Sequence, residues 1–380
     1  MRIINKIKEF FSRIVSILMG YVSRIVAAYN KRQRAKGLKY KITKNFKDLK
    51  VHRKLTKAQI KEVDDFYISM IGKKVPLYCH EYFYSRTGVF SKDYIPKDFY
   101  TLELLYRANV HEFRGAYDDK NVCDIILAGE NVVHTILKNM NGYYYYEGKP
   151  VSVEEAISLC QNMDQVIIKP AMEMQGNGVQ MLTVSNGKTN INGKTIGELF
   201  KQYKHNFLIQ NCVKQHKDLA ALNPTSVNTM RILSYRSGME VLIVYSVIRI
   251  GRKGQVIDNQ CAGGISTAIT KDGKLSNTAF GGYSEDNVTI TDSGIALDGY
   301  QLPSYDKAIA FVKRLHMKLP YFDIIGWDVS IEENGEPILI EYNASPGLSQ
   351  SAFCSGMGEN TERIIRELWP RKNTLFEEYE

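Results

Sequence analysis

The sequence predicts an α+β protein with a basic N-terminal helix, and three observations support this prediction. Strands and helices alternate along residues 151–370 without the regular βαβ period of a parallel sheet. The 380 residues are 44% hydrophobic, which is enough for two or three packed domains. Residues 1–61 hold 18 Lys and Arg against two acids, whereas the rest holds 32 against 39. We therefore expect an acidic globular body behind a basic segment, which indicates an anionic partner for that segment.

The N-terminal segment is predicted to be an amphipathic helix over residues 1–36. Apolar residues from Ile3 to Tyr29 recur every three or four positions, and the segment has nine Lys and Arg against one acid. Its longest charge-free stretch, Ile14 to Ser23, is about half of the ~20 residues that a membrane span needs. Two alternatives stay open, a helix lying on an anionic membrane surface and a helix packed on its own protein. No nucleic-acid partner is expected, because bulky aliphatic residues predominate over stacking aromatic ones.

The six cysteines are far apart and form no CxxC pair and no zinc-like spacing with histidine. This pattern is typical of reduced core cysteines in a cytoplasmic protein. We therefore expect a cytoplasmic protein, held peripherally at the inner face of the membrane if the helix binds lipid.

The remaining elements follow from periodicity, capping and turn residues. Ser152 and Glu155 form a predicted capping box, and Asn186-Gly187 predicts a hairpin turn. The other predicted helices are Lys57–Ile71, Asn121–Asn139, Gly193–Lys204, Tyr305–Lys318 and Thr361–Leu368. The predicted strands are Tyr143–Tyr146, Gln165–Lys169, Gly178–Val184, Asn206–Gln210, Thr229–Tyr235, Met239–Arg249, Gly326–Ile331 and Pro337–Tyr342.

The last two predicted strands form a hairpin that carries the strongest group of polar residues. Asp328 lies on the first strand, and Glu341 and Asn343 lie on the second. Because residues i and i+2 of a strand share a face, Glu341 and Asn343 project together, and Asp328 can join them. Such an oxygen cluster suits a hard cation, and Mg²⁺ is the natural occupant. The alternative is a polar face that simply meets water, since Ile338 and Ile340 alternate with it.

A second candidate site combines Lys169, at the end of a predicted buried strand, with a loop containing Gly176 and Gly178. An ammonium group beside backbone N–H groups of a glycine loop can hold a polyphosphate. A surface lysine next to a glycine hairpin loop is the alternative. The run from Gly187 to Thr195 resembles a P-loop, but five residues separate its glycines where four are required, so we reject it.

Two arginines mark the ends of neighbouring predicted strands. Arg231 lies near the start of one strand and Arg249 ends the next. Guanidinium groups in such positions suit a transferring phosphoryl group or a substrate carboxylate, although each arginine taken singly is more often a surface ion pair.

In their order and spacing, these motifs resemble the ATP-grasp superfamily, and they are most similar to its sugar-transfer-associated group, which occurs with polysaccharide biosynthesis. The resemblance covers about residues 95–370 and leaves residues 1–60 unexplained. The segments that support it are Asp119-Lys120, Ile168-Lys169-Pro170-Ala171, Leu208-Ile209-Gln210-Asn211, Ser226-Val227-Asn228-Thr229-Met230-Arg231, Asp258-Asn259, Gly263-Gly264, Gly326-Trp327-Asp328 and Glu341-Tyr342-Asn343-Ala344-Ser345-Pro346-Gly347.

The resemblance implies an ATP-grasp fold, in which a small lid subdomain and a larger mixed-sheet subdomain enclose ATP. The segments that we expect are an N-terminal helix (1–36), a substrate-side region (37–150), the lid (151–210) and the central subdomain with the metal site (211–380). The resemblance also implies nucleotide contacts from Lys120, Lys169, Gly176, Gly178, Gln210, Asn211, Val213 and Asp218. Within that set, the lysines contact phosphates, the glycines lie in the closing loop, Gln210 to Val213 form the adenine hinge, and Asp218 contacts the ribose. Mg²⁺ would be bound by Asp328, Glu341 and Asn343.

Two departures from the family pattern are visible. Many relatives carry paired glutamates at the positions of Gln210-Asn211, and Ser or Gly is common at the positions of Met174-Gln175.

The predicted function is an ATP-dependent, ADP-forming ligase. A substrate carboxylate attacks the γ-phosphate to give an acyl phosphate, and an amine or another nucleophile then displaces phosphate, with Arg231 and Arg249 as catalytic residues. An ATP-dependent kinase of a small molecule or sugar is one alternative, and a nucleotide-regulated, membrane-bound scaffold of a glycan assembly complex is another. The substrate pocket is expected from residues 76–118 and 344–360, which contain no readable motif.

Overall fold

The computed structural model describes residues 2–173, 176–252, 254–255, 258, 263–282 and 287–373, with side chains from residue 12 onwards. Met174-Gln175 and Asn259 of the predicted loops therefore lie outside the described residues. The chain divides into two compact units, the first formed by Met1–His111 with Thr361–Glu380 and the second by Glu112–Asn360.

The α-helices are α1 Arg2–Lys47, α2 Lys57–Ile71, α3 Tyr78–Thr87, α4 Lys97–Phe99, α5 Leu105–Ala108, α6 His111–Tyr117, α7 Cys123–Ile126, α8 Val153–Leu159, α9 Ile196–Tyr203, α10 Lys217–Leu222, α11 Tyr305–His316, α12 Gln350–Phe353 and α13 Thr361–Leu368. A π-helical turn spans Tyr100–Leu104, and a 3₁₀ turn spans Lys120–Val122.

The strands are β1 Thr135–Met140, β2 Tyr143–Tyr146, β3 Lys149–Val151, β4 Met163–Pro170, β5 Gln180–Ser185, β6 Lys188–Thr189, β7 Phe207–Asn211, β8 Thr229–Ser237, β9 Glu240–Ile250, β10 Ile265–Ile269, β11 Ile324–Ile331 and β12 Pro337–Asn343.

The first unit is helical, and its core is rich in aromatic side chains. Ile42 of α1 packs into a cluster with Cys79, Tyr82 and Tyr94, among others. The helix α1 continues to Lys47, beyond the predicted limit at residue 36, because its C-terminal half packs on α3 and α4.

The helix α13 closes the first unit from the far end of the sequence. It packs on α2, and the Trp369 ring that follows it lies between Lys73 and Arg107, at 4.7 and 4.5 Å from the ring centroid. Asn373 donates from Nδ2 to the Leu102 carbonyl at 3.1 Å. Residues separated by more than 260 positions thus stabilise one core.

The second unit contains two antiparallel sheets. The seven-stranded sheet has the order β3-β2-β1-β7-β4-β5-β6, and the hydrophobic core on one of its faces includes Ala156 of α8 and Leu199 and Phe200 of α9. The five-stranded sheet has the order β10-β9-β8-β11-β12 and packs on α11, with Trp327 and Phe311 in its core. These two sheets leave their other faces to the polar residues discussed below.

Most predicted elements are confirmed, several of them at the predicted bounds. The helices Lys57–Ile71 and Thr361–Leu368 and the capping box of Ser152 with Glu155 agree with the structure. The predicted helix over Asn121–Asn139 is wrong, because only a 3₁₀ turn and the four-residue α7 follow Asp119 before Gly129 adopts a φ of 81° and β1 begins at Thr135. Among the helices in the described ranges, none is long and apolar enough to cross a membrane.

Candidate active site

The register of the five-stranded sheet builds a polar row on one face. Asp328 of β11 is the Cα partner of Arg231 on β8 and of Glu341 on β12. Arg249 on β9 is paired with Thr229, two residues before Arg231. Because directly paired residues and residues i and i+2 share a face, all four charged side chains project to the same side.

Asp328 is the centre of this row, and both predicted arginines bind it. Arg231 donates from Nε and Nη2 to the two carboxylate oxygens at 2.5 and 2.6 Å, and Arg249 donates from Nη1 to both at 3.2 Å. Burial alone would raise the pKa of Asp328, but the two guanidinium groups outweigh it and hold that pKa below its usual value. The predicted residues are therefore brought together, although as an ion triad that was not predicted.

Lys169 brings a further cation to the site from the end of β4, an interior strand of the seven-stranded sheet. Its side chain is buried, with 7% exposure, and its ammonium makes no hydrogen bond or ion pair with the described part of the chain. Burial lowers the pKa of Lys169, and Glu341 opposes that shift. A largely buried ammonium group that has no acceptor among the described residues is a suitable partner for an anionic ligand.

Lys120 reaches the same place from a short turn. Its Nζ lies 3.7 Å from Oε2 of Glu341 and donates to the Glu173 carbonyl at 2.8 Å. The preceding Asp118 accepts the backbone N–H of Ala344 at 2.9 Å, which ties the turn to the end of β12. The predicted pair of lysines thus converges on Glu341 from two different elements.

The charge balance of this site favours an anion. Four cationic side chains, those of Lys120, Lys169, Arg231 and Arg249, surround the carboxylates of Asp328 and Glu341. Asp258 lies nearby and accepts from Thr229, and burial raises its pKa to about 6, although Arg249 opposes the shift. The excess of positive charge remains when Asp258 is counted as ionised, so phosphate groups suit the site.

The oxygen atoms present fit a magnesium ion that shares its ligands with phosphates. Asp328 and Glu341 offer carboxylates, and Asn343, on the same strand face as Glu341, offers an amide oxygen that also accepts the Ser345 N–H at 2.7 Å. Within the described ranges, no group of three or more His, Cys, Asp or Glu could hold a metal by itself. Mg²⁺ is commonly bound by one or two carboxylates together with substrate phosphates, which matches this set.

The glycine-rich loop needs glycine for a steric reason. Gly176 and Gly178 have φ values of 75° and 73°. A Cβ atom at Gly178 would lie 2.8 Å from Cγ of Pro170. The Tyr203 hydroxyl of α9 donates to the Gly178 carbonyl at 2.7 Å and fixes this end of the loop. Sequence reasoning missed Tyr203, because a single tyrosine on a helix gives no signal among 24.

In the predicted adenine hinge, residues Gln210 to Val213, the side chain of Gln210 is occupied within the protein. Gln210 is buried and donates from Nε2 to Oγ1 of Thr135 at 2.9 Å, inside the sheet. Asn211 is exposed at the end of β7, and Val213 follows it. Asp218 lies in the first turn of α10, where it is 46% exposed beside His216. Gln210 is therefore held within the sheet, where its strand neighbours are Thr135 on β1 and Ile167 on β4.

The loop after β12 is fixed over the same sheet face, and Tyr245 holds it. The Tyr245 hydroxyl accepts the Ser349 N–H at 2.8 Å and donates to the Gly347 carbonyl at 3.4 Å. A Cβ atom at Gly326 would lie 2.7 Å from Cβ of Pro346, so this loop needs a glycine beneath it. Sequence reasoning did not single out Tyr245, because its role depends on strand register.

The chain is similar to a known protein family and to several solved structures. The family model for sugar-transfer associated ATP-grasp proteins matches residues 101–364. Among curated proteins, none matches the chain significantly. The chain is similar to solved structures of three enzymes: an L-amino acid ligase from Bacillus licheniformis (9% identity, 68% of this chain and 49% of that chain, TM-score 0.39), a D-alanine–D-alanine ligase from Bacillus anthracis (13%, 67% and 67%, 0.37) and a biotin carboxylase from Campylobacter jejuni (11%, 70% and 49%, 0.42).

The chain spans about half the length of the L-amino acid ligase and of the biotin carboxylase. The family model, in contrast, matches well over half of this chain, over a range that contains every residue of the candidate site. The two antiparallel sheets, with a glycine loop on one and a carboxylate row on the other, therefore have the ATP-grasp fold, and this chain belongs to the sugar-transfer associated ATP-grasp family.

Proposed function

We propose that this protein is an ADP-forming, ATP-dependent ligase that joins a carboxylate to an amine or another nucleophile. The observation that supports this most directly is the largely buried Lys169 side chain, whose ammonium makes no hydrogen bond in the described part of the chain and lies in one site with three more cations. A polyphosphate would supply hydrogen-bond acceptors for these cations. ATP is the polyphosphate that the family membership favours.

The proposed reaction has two steps, and each balances. In the first, a carboxylate oxygen of the substrate attacks the γ-phosphorus of ATP, the bond to the β-phosphate oxygen breaks, and ADP leaves. In the second, an amine attacks the acyl carbon, inorganic phosphate leaves, and the amine loses a proton. Both steps need charge neutralisation and alignment more than covalent help from the protein.

Different residues of the chain would provide the charge neutralisation and the alignment. Lys120 and Lys169 neutralise phosphate charge, and Gly176 and Gly178 allow the loop backbone to approach the phosphates. Arg231 and Arg249 already lie side by side on Asp328, so their remaining N–H groups can hold the transferred phosphoryl group.

Asp328, Glu341 and Asn343 would hold Mg²⁺, which supplies Lewis-acid stabilisation of the phosphate charge when bound. The hinge from Gln210 to Val213 would contact adenine and Asp218 would contact the ribose. These two assignments rest on the family resemblance.

The substrates that we propose are a small-molecule carboxylate and an amine or sugar used in cell-surface polysaccharide biosynthesis. This role is supported by the sugar-transfer association of the family. The net charge of +8 on residues 1–36 supports an anionic membrane surface as a partner, which would place the enzyme at the inner face of the membrane.

The test is incubation with ATP, Mg²⁺ and panels of sugar acids, amino acids and amines, with mass spectrometry of the products. We expect ADP and phosphate in amounts equal to a condensed product. Stoichiometric AMP and pyrophosphate would contradict the acyl-phosphate mechanism. A phosphorylated product that accumulates without condensation would instead identify a kinase.

A further inference from the structure

We infer that residues 14–29 of α1 lie in the headgroup region of an anionic membrane while residues 31–46 of the same helix stay packed on the first unit. This deepens the proposed membrane partner of residues 1–36 and is independent of the ligase reaction. Three properties of α1 support the inference: which of its residues the first unit buries, where its apolar residues lie, and where its charged residues lie.

The C-terminal half of α1 is held by specific contacts within the first unit. Ile42 is 4% exposed in the aromatic cluster. Lys31 donates to Glu103 at 2.7 Å, and Arg34 donates to the Tyr106 hydroxyl at 2.9 Å. The covered positions between residues 12 and 47 are 27, 31, 35, 38, 42, 43, 45 and 46. Most of them are three or four apart and define one docking face.

The N-terminal half presents large apolar side chains to solvent. Every residue from 12 to 26 is exposed. Leu18 is 58% exposed, Val22 is 56% exposed and Ile25 is 69% exposed. Exposure of so many large apolar side chains on one helix marks a surface that something covers.

Most of the apolar side chains of residues 14–29 point away from the docking face. At about 100° per residue, the centre of the apolar arc lies about 130° around the helix from the centre of the docking face. Arg13, Gly20 and Arg24 continue the docking line into the N-terminal half. The first unit therefore cannot cover the apolar arc while α1 stays straight and docked, so packing on its own body is disfavoured as the occupant.

Charge argues against a second copy of α1 as the occupant. Between residues 10 and 47, the helix contains ten Lys and Arg and no acid. Two such stretches side by side would repel each other, because residues 10–47 contain no acid for interhelical ion pairs. An anionic lipid surface is attracted to the same charges.

The width of the apolar arc favours the same occupant. Positions 14–29 place apolar residues over about 200° of the helix, whereas a two-helix seam uses a narrow stripe of two positions in seven. A helix lying in the plane of the interface buries such a broad face in the headgroup boundary. Arg13 and Arg24, at the margin of the arc, can then reach lipid phosphates.

The experiment compares the full chain with two double variants in vesicle sedimentation, without nucleotide. Leu18→Asp with Val22→Asp places two acids in the apolar arc. Ser16→Asp with Ser23→Asp places the same two charges on the opposite, exposed face. Vesicles of phosphatidylglycerol and phosphatidylcholine are compared with vesicles of phosphatidylcholine alone.

We expect the unmodified chain to bind the anionic vesicles at low salt and to bind phosphatidylcholine vesicles at least tenfold more weakly. The variant in the apolar arc should bind anionic vesicles at least tenfold more weakly than the matched control, with an unchanged melting temperature. Equal losses in both variants would overturn insertion in favour of a purely electrostatic contact.

Two further outcomes would overturn the proposal. A lower melting temperature of the apolar-arc variant alone would show that the arc packs on the protein. A concentration-dependent dimer that this variant dissociates, in a chain that ignores vesicles, would identify a second copy as the occupant. ATP-dependent thermal stabilisation, measured separately, reports on the nucleotide site and distinguishes failure of the ligase proposal from failure of this one.

Discussion

Lys169 has a largely buried ammonium group, and its burial disfavours the charged form. Burial of a cation without an acceptor is unfavourable for the folded state, and a bound phosphate would reverse the sign of that contribution. The same residue is therefore expected to reduce stability in the absence of nucleotide and to increase it in the presence of nucleotide.

We predict that Lys169→Met raises the unfolding free energy of the ligand-free protein by about 1–3 kcal/mol and abolishes stabilisation by ATP and Mg²⁺. The apolar side chain has a similar length and removes the buried charge. Thermal shift with and without ATP and MgCl₂ measures both effects. Lys188→Met is the matched control, because Lys188 is exposed on β6. An undiminished ATP shift in Lys169→Met would show that Lys169 does not contact phosphate.

Glu341→Gln should abolish turnover while leaving the fold intact. The change is nearly isosteric, but it removes one of the two carboxylates that would hold Mg²⁺, and losing that ion costs several orders of magnitude in rate. Glu336→Gln is the control on the same hairpin, since Glu336 pairs with Lys307 at an exposed position. ADP release at saturating Mg²⁺ gives the rate, and circular dichroism checks the fold. Wild-type turnover would favour the water-facing hairpin.

The charged residues that the five-stranded sheet brings together could be selected from the sequence, but their pairing could not. Asp328, Arg231 and Arg249 stand out because charged residues occur in apolar strands. Their ion triad depends on the register between β8 and β11, which are separated by nearly a hundred residues, and no local pattern specifies it. The hydrogen bond from Gln210 to Thr135 could not be predicted for the same reason, since it depends on the register between β7 and β1.

At the level of elements, helix caps could be predicted from the sequence, whereas the pairing of distant strands could not. Ser152 with Glu155 marks the start of α8 because the signal lies within four residues. The failure over residues 121–139 has the opposite origin. Thr135 to Met140 form a strand because β2 and β7 lie on either side, and this pairing overrides the apolar spacing that suggests a helix.

The glycine loop gives a prediction for an element. We expect Gly178→Ala to weaken ATP binding at least tenfold, because the added Cβ would lie 2.8 Å from Pro170 and displace the loop. Gly193→Ala is a matched control: its φ is also positive, at 65°, but no atom lies within 4 Å of the added Cβ. Titration calorimetry with ATP and Mg²⁺ compares the two. Similar affinities would show that the loop tolerates displacement.

Across the whole molecule, each of the two units contains a buried histidine. Burial lowers the pKa of His80 in the first unit and of His316 in the second to about 4, although the Lys92 and Phe322 carbonyls oppose the shift. The unfolded chain binds protons on these groups below about pH 6.5, whereas the folded chain does not. The stability that the neutral forms provide is therefore present above pH 6.5 and is lost as pH falls towards 4.

We predict that the unfolding free energy falls by about 1.4 kcal/mol per pH unit for each histidine in this window. Urea unfolding between pH 7.5 and 5.0 measures the slope, and the variants Trp369→Phe and Trp327→Phe, each with one remaining tryptophan, report on the second and the first unit by fluorescence. His316→Gln should flatten the slope in the second unit and leave that of the first unchanged. An identical slope in this variant would show that His316 is protonated in the folded state.

The position of Trp369 between Lys73 and Arg107 has a consequence for the order of events during translation. The ribosome makes residues 1–111 first, but the contacts that complete their core come from residues 361–373, which emerge only after all of residues 112–360. The core of the first unit therefore stays incomplete until residues 361–373 are synthesised, whereas the second unit has its whole sequence available before then and can fold. During this interval α1 has already left the ribosome, so it can bind an anionic surface before the first unit has folded completely.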